Sequence, residues 1–276
     1  MTTVLLIGHK SETTDSIQSA LATGCECERV PGGAAAIRRL RQHSFELVIT
    51  DPETHIDEDL ALLEEMREIR PGVKVIVLAP STTPDEIIAA LRARVVVCFS
   101  PPFDAHQIAD FSRQAAADPD WRTDIEVLSA RPEWVSLRAN CRLLTAERVV
   151  TFLRELHSEL PSQTRDDVMI AFREILLNAM EHGGAFNRHK VVEVSAVRTE
   201  RTLVFYVRDP GPGFRREGLA HAAIANAPGS PATHFEHREQ SGMRPGGFGI
   251  LLAQGIVDEL IYSELGNEVL LIKHTA

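Results

Sequence analysis

Three short stretches of this 276-residue sequence place side chains and bare backbone where they could handle a charged ligand. In "FREILLNAMEHGG" (172–184), Glu174, Asn178 and His182 follow at i, i+4 and i+8, the spacing that stacks side chains along one helix face. Such a row is either a solvated polar stripe or a working set, in which Asn178 offers its carbonyl oxygen to Mg²⁺ and Glu174 positions a water or hydroxyl. In "DPGPGF" (209–214), two prolines with Gly211 and Gly213 make a tight loop that lets a flat ring approach the backbone. Asp209 at its mouth can accept a hydrogen bond from an exocyclic amine. In "RPGGFGILLAQG" (244–255), Gly246, Gly247 and Gly249 stand directly before an apolar run. Glycine disfavours a helix interior by about 1 kcal/mol against alanine. The cluster is therefore either a flexible connector or an anion site, where free N–H groups meet the positive end of a helix dipole.

The elements around these stretches fix their order in space. Phe172, Ile175, Leu176 and Ala179 recur at helical spacing and predict a helix over 164–182, ended by Gly183 and Gly184. Before it the sequence predicts a strand, "IEVLSA" (125–130), and a helix from about 132 to 158. After it come strands "VVEVSAVR" (191–198) and "TLVFYVRD" (202–209), joined by a turn at "TER". Residues 215–244 show no clear periodicity, and an irregular stretch of that length predicts a lid. His234 and His237 within it are either metal ligands or solvated side chains. A hairpin, "ELIYSELGNEVLLIKH" (259–274), closes the pattern.

Residues 1–117 read differently. Strands "TVLLIG", "CECERV", "FELVIT", "VKVIVLA" and "RVVVCF" alternate with helices near 13–22, 33–42, 58–69, 84–93 and 104–116. Five βα units with apolar strand runs predict an α/β fold, a doubly wound parallel sheet. A linker at 118–124, within "AADPDWRTD", separates this domain from a second one at 125–276.

Composition narrows the function. Apolar residues are 44% and charged ones 25%, a globular profile. The net charge of −10 splits into 11 basic and 17 acidic residues up to residue 117, and 18 and 22 after it. Neither part carries the basic footprint of a nucleic-acid binder. No stretch predicts a secretory leader or a membrane span. The four cysteines lack zinc-type spacing, and Cys98 in "VVVCF" reads as a core thiol in a reducing cytoplasm.

Length, element order and "FELVITDPE" in the first domain resemble the receiver domain of two-component response regulators, a flavodoxin-like fold. Asp51 falls at the phosphoacceptor position. The supporting positions depart from the pattern: Gly8 and His9 replace the acidic pair, Ala79 the switch hydroxyl and Pro101 the lysine. The resemblance with these losses implies a pseudo-receiver that docks or dimerises, with Asp51 a degenerate site.

Taken in order, "EILLNAMEHGG", "DPGPGF" and "GGFGI" resemble the N, G1 and G2 boxes of the GHKL ATPases over about residues 122–276. The resemblance implies an α+β two-layer sandwich that binds ATP with Mg²⁺. It makes Glu174 the catalytic base, Asn178 the metal ligand, and Asp209 the adenine reader, with Gly211 and Gly213 shaping the pocket. His182 joins the nucleotide site, and Gly246, Gly247 and Gly249 face the phosphates. The compact domain with "NAMEH" looks most like the anti-sigma-factor serine kinases. That implies a STAS-domain protein substrate, a sigma factor as a further partner, and a homodimer. A non-catalytic, ATP-gated binding module is the alternative. His157 in "LHSELP" reads as an ordinary helix-end residue.

Overall fold

A computed structural model describes residues 2–119, 121–213 and 248–275. The chain divides into two compact units, Met1–Thr123 and Asp124–Ala276.

In the first unit, strands β1 (Thr2–Ile7), β2 (Cys25–Val30), β3 (Leu47–Ile49), β4 (Val75–Leu78) and β5 (Val97–Phe99) alternate with helices α1 (Glu12–Leu21), α2 (Gly33–Gln42), α3 (Ile56–Ile69), α4 (Pro84–Arg92) and α5 (Ala105–Ala117). All pairings are parallel, in the order β2-β1-β3-β4-β5. This is the flavodoxin-like order of a doubly wound sheet. Strands β3, β4 and β5 are buried along their whole length, as helices on both faces require. Local chemistry starts the helices. Capping boxes stand at Ser11/Thr14 and Thr83/Glu86, and the Asp104 carboxylate accepts from the His106 and Gln107 N–H groups.

The second unit opens on Asp124, which is buried and accepts from Arg142 Nη1 at 2.6 Å and Asn140 Nδ2 at 3.1 Å. The segment predicted as linker thus holds buried side chains, Asp118 and Trp121 as well as Asp124. Strands β6 (Ile125–Arg131) and β7 (Trp134–Asn140) form a hairpin, followed by helices α6 (Leu143–Leu156) and α7 (Ser162–Asn178). Then come β8 (Val191–Arg198), β9 (Thr202–Arg208), helix α8 (Gly249–Ile256), β10 (Glu259–Tyr262) and β11 (Glu268–His274). The sheet is antiparallel, in the order β10-β11-β9-β8-β7-β6.

One expectation fails here. Residues 134–140, predicted as helix, are strand β7. Val135, Leu137 and Ala139 are buried in alternation, a period-2 pattern that pairing with β6 and β8 selects over helix.

The buried face of this sheet carries Leu137, Val194, Phe205 and Leu271 against the helices. Phe205 packs on Phe172 of α7 with ring centroids 4.7 Å apart. His157, at the C-cap of α6, is buried edge-on against the same ring at 6.0 Å. No helix among the described residues is long and apolar enough to cross a membrane.

Candidate functional site

Helix α7 brings Glu174 and Asn178 to the start of α8. A Cβ at Gly249 would lie 2.7 Å from Glu174 Oε2 and 3.4 Å from Asn178 Nδ2. A side chain at Gly249 would therefore displace the Glu174 carboxylate from this point. Glu174 also lies 3.6 Å from Arg173 Nη1. Arg173 is held in turn by a bidentate pairing with Glu147 of α6, with Nε 3.0 Å from Oε1. Glu147 escaped the sequence reading because it comes from a different helix, although an arginine beside Glu174 was visible.

Past Asn178 the helix widens into a π-helical turn, Ala179–Gly183. The i+8 spacing assumed for His182 is an α-helical one and does not extend through this turn. His182 instead lies within electrostatic reach of Asp209. Gly183 at the end of the turn faces the "DPGPG" loop so closely that a Cβ there would overlap the Asp209 carboxylate. A Cβ at Gly211 would lie 2.8 Å from Asp209 Oδ1 and 2.8 Å from Gly183 Cα. Two bare backbones therefore flank one carboxylate.

Asp209 Oδ1 accepts the Gly211 N–H at 2.7 Å, and the Asp209 N–H donates to the Asn267 carbonyl at 2.9 Å. Burial pushes the carboxyl up from the ordinary aspartate range, opposed by the Gly211 N–H and by the charges of His182 and Lys190. Gly213, with φ +78°, packs against the Leu265 carbonyl, so the turn between β10 and β11 clamps the loop. Neither Leu265 nor Asn267 carries a sequence signal for this role. Cys141 lies under Gly184, and burial pushes its thiol up to about 11, an inert core group.

The site thus gathers Glu174, Asn178 and Gly249 at one place, and Asp209, Gly211, Gly183 and His182 at another. Gly246, Gly247, the predicted lid, His234 and His237 lie outside the described residues. The donors suit the groups the sequence implies. A carboxylate and an amide oxygen are the hard ligands Mg²⁺ takes, and the Asp209 carboxylate is an acceptor suited to an amine.

In the first unit, Asp51 follows β3, and its Oδ1 accepts the Glu53 N–H at 3.0 Å. Gly8, with φ +139°, stands where a Cβ would be 3.5 Å from the Asp51 carboxylate. Ala79 is buried, and the Pro101–Pro102 peptide is cis. A buried carboxyl that the sequence reading missed, Asp59 of α3, accepts from Thr50 Oγ1 at 2.6 Å and Thr54 Oγ1 at 3.1 Å.

Residues 137–273 match the family described as histidine kinase-like ATPase domain. That match covers most of the second unit, whose antiparallel sheet and helices agree with an ATPase domain of that type, while the first unit has the flavodoxin-like strand order. The chain is similar to a CheY-like response regulator receiver domain from Methanospirillum hungatei JF-1, with 18% identity over 44% of this chain and 97% of that one, at a TM-score of 0.39. It is also similar to a response regulator from Thermotoga maritima, with 23% identity over 43% of this chain and 100% of that one, at a TM-score of 0.38. No curated protein matches the chain.

Proposed function

We propose that the chain is a regulatory serine/threonine kinase of the anti-sigma-factor type, transferring the γ-phosphate of ATP to a hydroxyl on a STAS-domain antagonist. The observation that carries this reading is the Gly249 contact, which sets Glu174 and Asn178 against the N-terminus of α8. Asp209 accepts from the adenine amine, its carboxylate held by the Gly211 N–H and packed against the bare backbones of Gly183 and Gly211. The N-terminus of α8, with Gly246 and Gly247 before it, receives the phosphates. Asn178 holds Mg²⁺, which when bound neutralises charge on the transferring phosphoryl group. Glu174 orients the partner's hydroxyl and takes its proton, and Arg173 stands beside it at 3.6 Å. His182 tunes the charge at Asp209. The first unit serves as a docking or input module, and a sigma factor is the further partner this class holds.

The second reading is an ATP-gated binding module without transfer. Single-turnover transfer to the STAS protein, measured beside equilibrium binding, separates the two. Under the kinase reading, Glu174→Ala lowers transfer by roughly 10²–10⁴-fold and leaves ATP affinity within a few-fold. Equal transfer by wild type and variant rules out Glu174 as base. Binding without transfer by either selects the module.

A further inference from the structure

The turns that feed strands β4 and β5 lie at the end of the parallel sheet opposite Asp51, which follows β3. Three arginines of the first unit gather there. Arg67 comes from the last turn of α3, Arg94 from the turn after α4, and Arg122 from the segment after α5. A cation at a helix C-terminus is ordinary, because it offsets the dipole. Three in mutual reach are not. Burial lowers the pKa of Arg67, and the charges of Arg122 and Arg94 lower it further, with Glu64 opposing. A guanidinium stays charged all the same, so the repulsion among them persists. Among the described residues, none of the three is ion-paired with a carboxylate.

The three side chains are nevertheless fixed in place. Arg67 Nη2 donates to the Arg94 carbonyl at 3.1 Å. Arg94 has φ +53°, the left-handed conformation that glycine usually supplies just past a helix. An arginine is kept there at a cost in strain. The Arg122 guanidinium lies 5.5 Å from the ring centroid of Trp121, whose indole is buried. Yet the Nε atoms of Arg67 and Arg122 are buried with no hydrogen-bond partner among the described residues. Buried charged donors without an acceptor are unfavourable, and each calls for an explanation such as an ion.

We propose that Arg67, Arg94 and Arg122 form a binding site for a diphosphate group. The planar fork of a guanidinium matches phosphate oxygens two at a time. A carboxylate would answer one of the three charges. A diphosphate carries more charge and spreads its oxygens over two tetrahedra, so that separate forks can each be met. Binding would relieve the repulsion at Arg67 and give the first unit a small-molecule input far from Asp51. The inference does not rest on the kinase reading or on the ATP site.

The test is calorimetry on the full chain with inorganic pyrophosphate, at fixed ionic strength and without Mg²⁺. Saturable binding is expected for the wild type. Arg122→Gln and Arg94→Gln should each weaken it at least tenfold, and Arg67→Lys, which keeps the charge and loses the fork, should weaken it too. The affinity for Mg²⁺-ATP should be unchanged in all three. Arg94→Gln alters an exposed side chain whose structural bond is made by its backbone carbonyl, so this variant keeps the fold. Without pyrophosphate the first unit of Arg94→Gln should melt no lower than the wild type, because a repulsion is gone. Pyrophosphate should raise the wild-type melting temperature and leave that of the variant in place. Uridine diphosphate, whose base offers Asp209 no exocyclic amine, distinguishes the source. Binding as tight as pyrophosphate marks a nucleotide ligand, and weaker binding marks the inorganic ion. No saturable binding of pyrophosphate at millimolar concentration overturns the proposal. So does binding that Arg94→Gln and Arg122→Gln leave unchanged, which would place the ion elsewhere.

Discussion

Gly249 stands against Glu174: a Cβ on the first residue of α8 would come within 2.7 Å of the Glu174 carboxylate oxygen. The obstacle is the end of a flexible side chain, which can swing aside, and not backbone. Gly249→Ala should therefore keep the fold, with stability held or raised by up to about 1 kcal/mol from the helix preference of alanine. ATP turnover or phosphate transfer should fall at least tenfold, because Glu174 must leave its place. Thermal melts beside turnover measurements check this. A variant that is both less stable and fully active would show that Glu174 is not held by this contact.

At Asp209 the carboxylate is flanked by backbone on two sides, so its loss cannot be compensated by a neighbour. Asp209→Asn should weaken ATP and ADP alike, whereas Asn178→Ala should weaken ATP chiefly when Mg²⁺ is present. The raised pKa adds a sign: adenine reading needs the ionised acceptor, so affinity should begin to fall at a higher pH than an ordinary aspartate would give. Calorimetry across acid pH, with and without Mg²⁺, measures all three effects.

Much of this was readable from residue order. The βα alternation of the first unit and the pairing of "VVEVSAVR" with "TLVFYVRD" follow from apolar period and turn residues, and the structure keeps both. Strand β7 was misread because "WVSLRAN" is short and its strand period shows only once β6 and β8 flank it. Glu174 and Asp209 stood out through the i, i+4 spacing to Asn178 and the place at the mouth of "DPGPGF", read together with the order of the three stretches. The clamp on the glycine loop, Leu265 and Asn267, and the tether Glu147 did not, since each acts through contacts distant in sequence and two of the three use backbone atoms.

Asp51 sits beside Gly8 where a receiver would place metal-binding acid, and Ala79 and Pro101 offer neither hydroxyl nor ammonium. The expected outcome is that acetyl phosphate with Mg²⁺ leaves the first unit unmodified. Intact-mass measurement after incubation decides it. A stable, stoichiometric phosphoryl group on Asp51 would restore the phosphoacceptor role.

The two units should respond to pH in opposite directions. Burial raises Asp59 from 3.8 to about 7, despite the two threonine hydroxyls that lower it. The folded first unit then holds a proton that the unfolded chain releases. Its stabilisation is complete below about pH 3.8 and is lost as pH rises through 7, on the order of 4 kcal/mol. His157 is the reverse case. Burial, with Arg198 adding repulsion, lowers it from 6.5 to about 4, and neither ring nitrogen has a hydrogen-bond partner among the described residues. Its contribution is complete above pH 6.5 and is lost as pH falls through 4, on the order of 3 kcal/mol. The two tryptophans report the units separately, Trp121 in the first and Trp134 in the second. Denaturant unfolding of Trp134→Phe and Trp121→Phe chains between pH 4 and 8 should give stability falling with pH in the first unit and rising with pH in the second. Asp59→Asn should flatten the first slope and His157→Leu the second, each leaving the other unchanged. A slope that survives its own substitution would assign the titration to a different group.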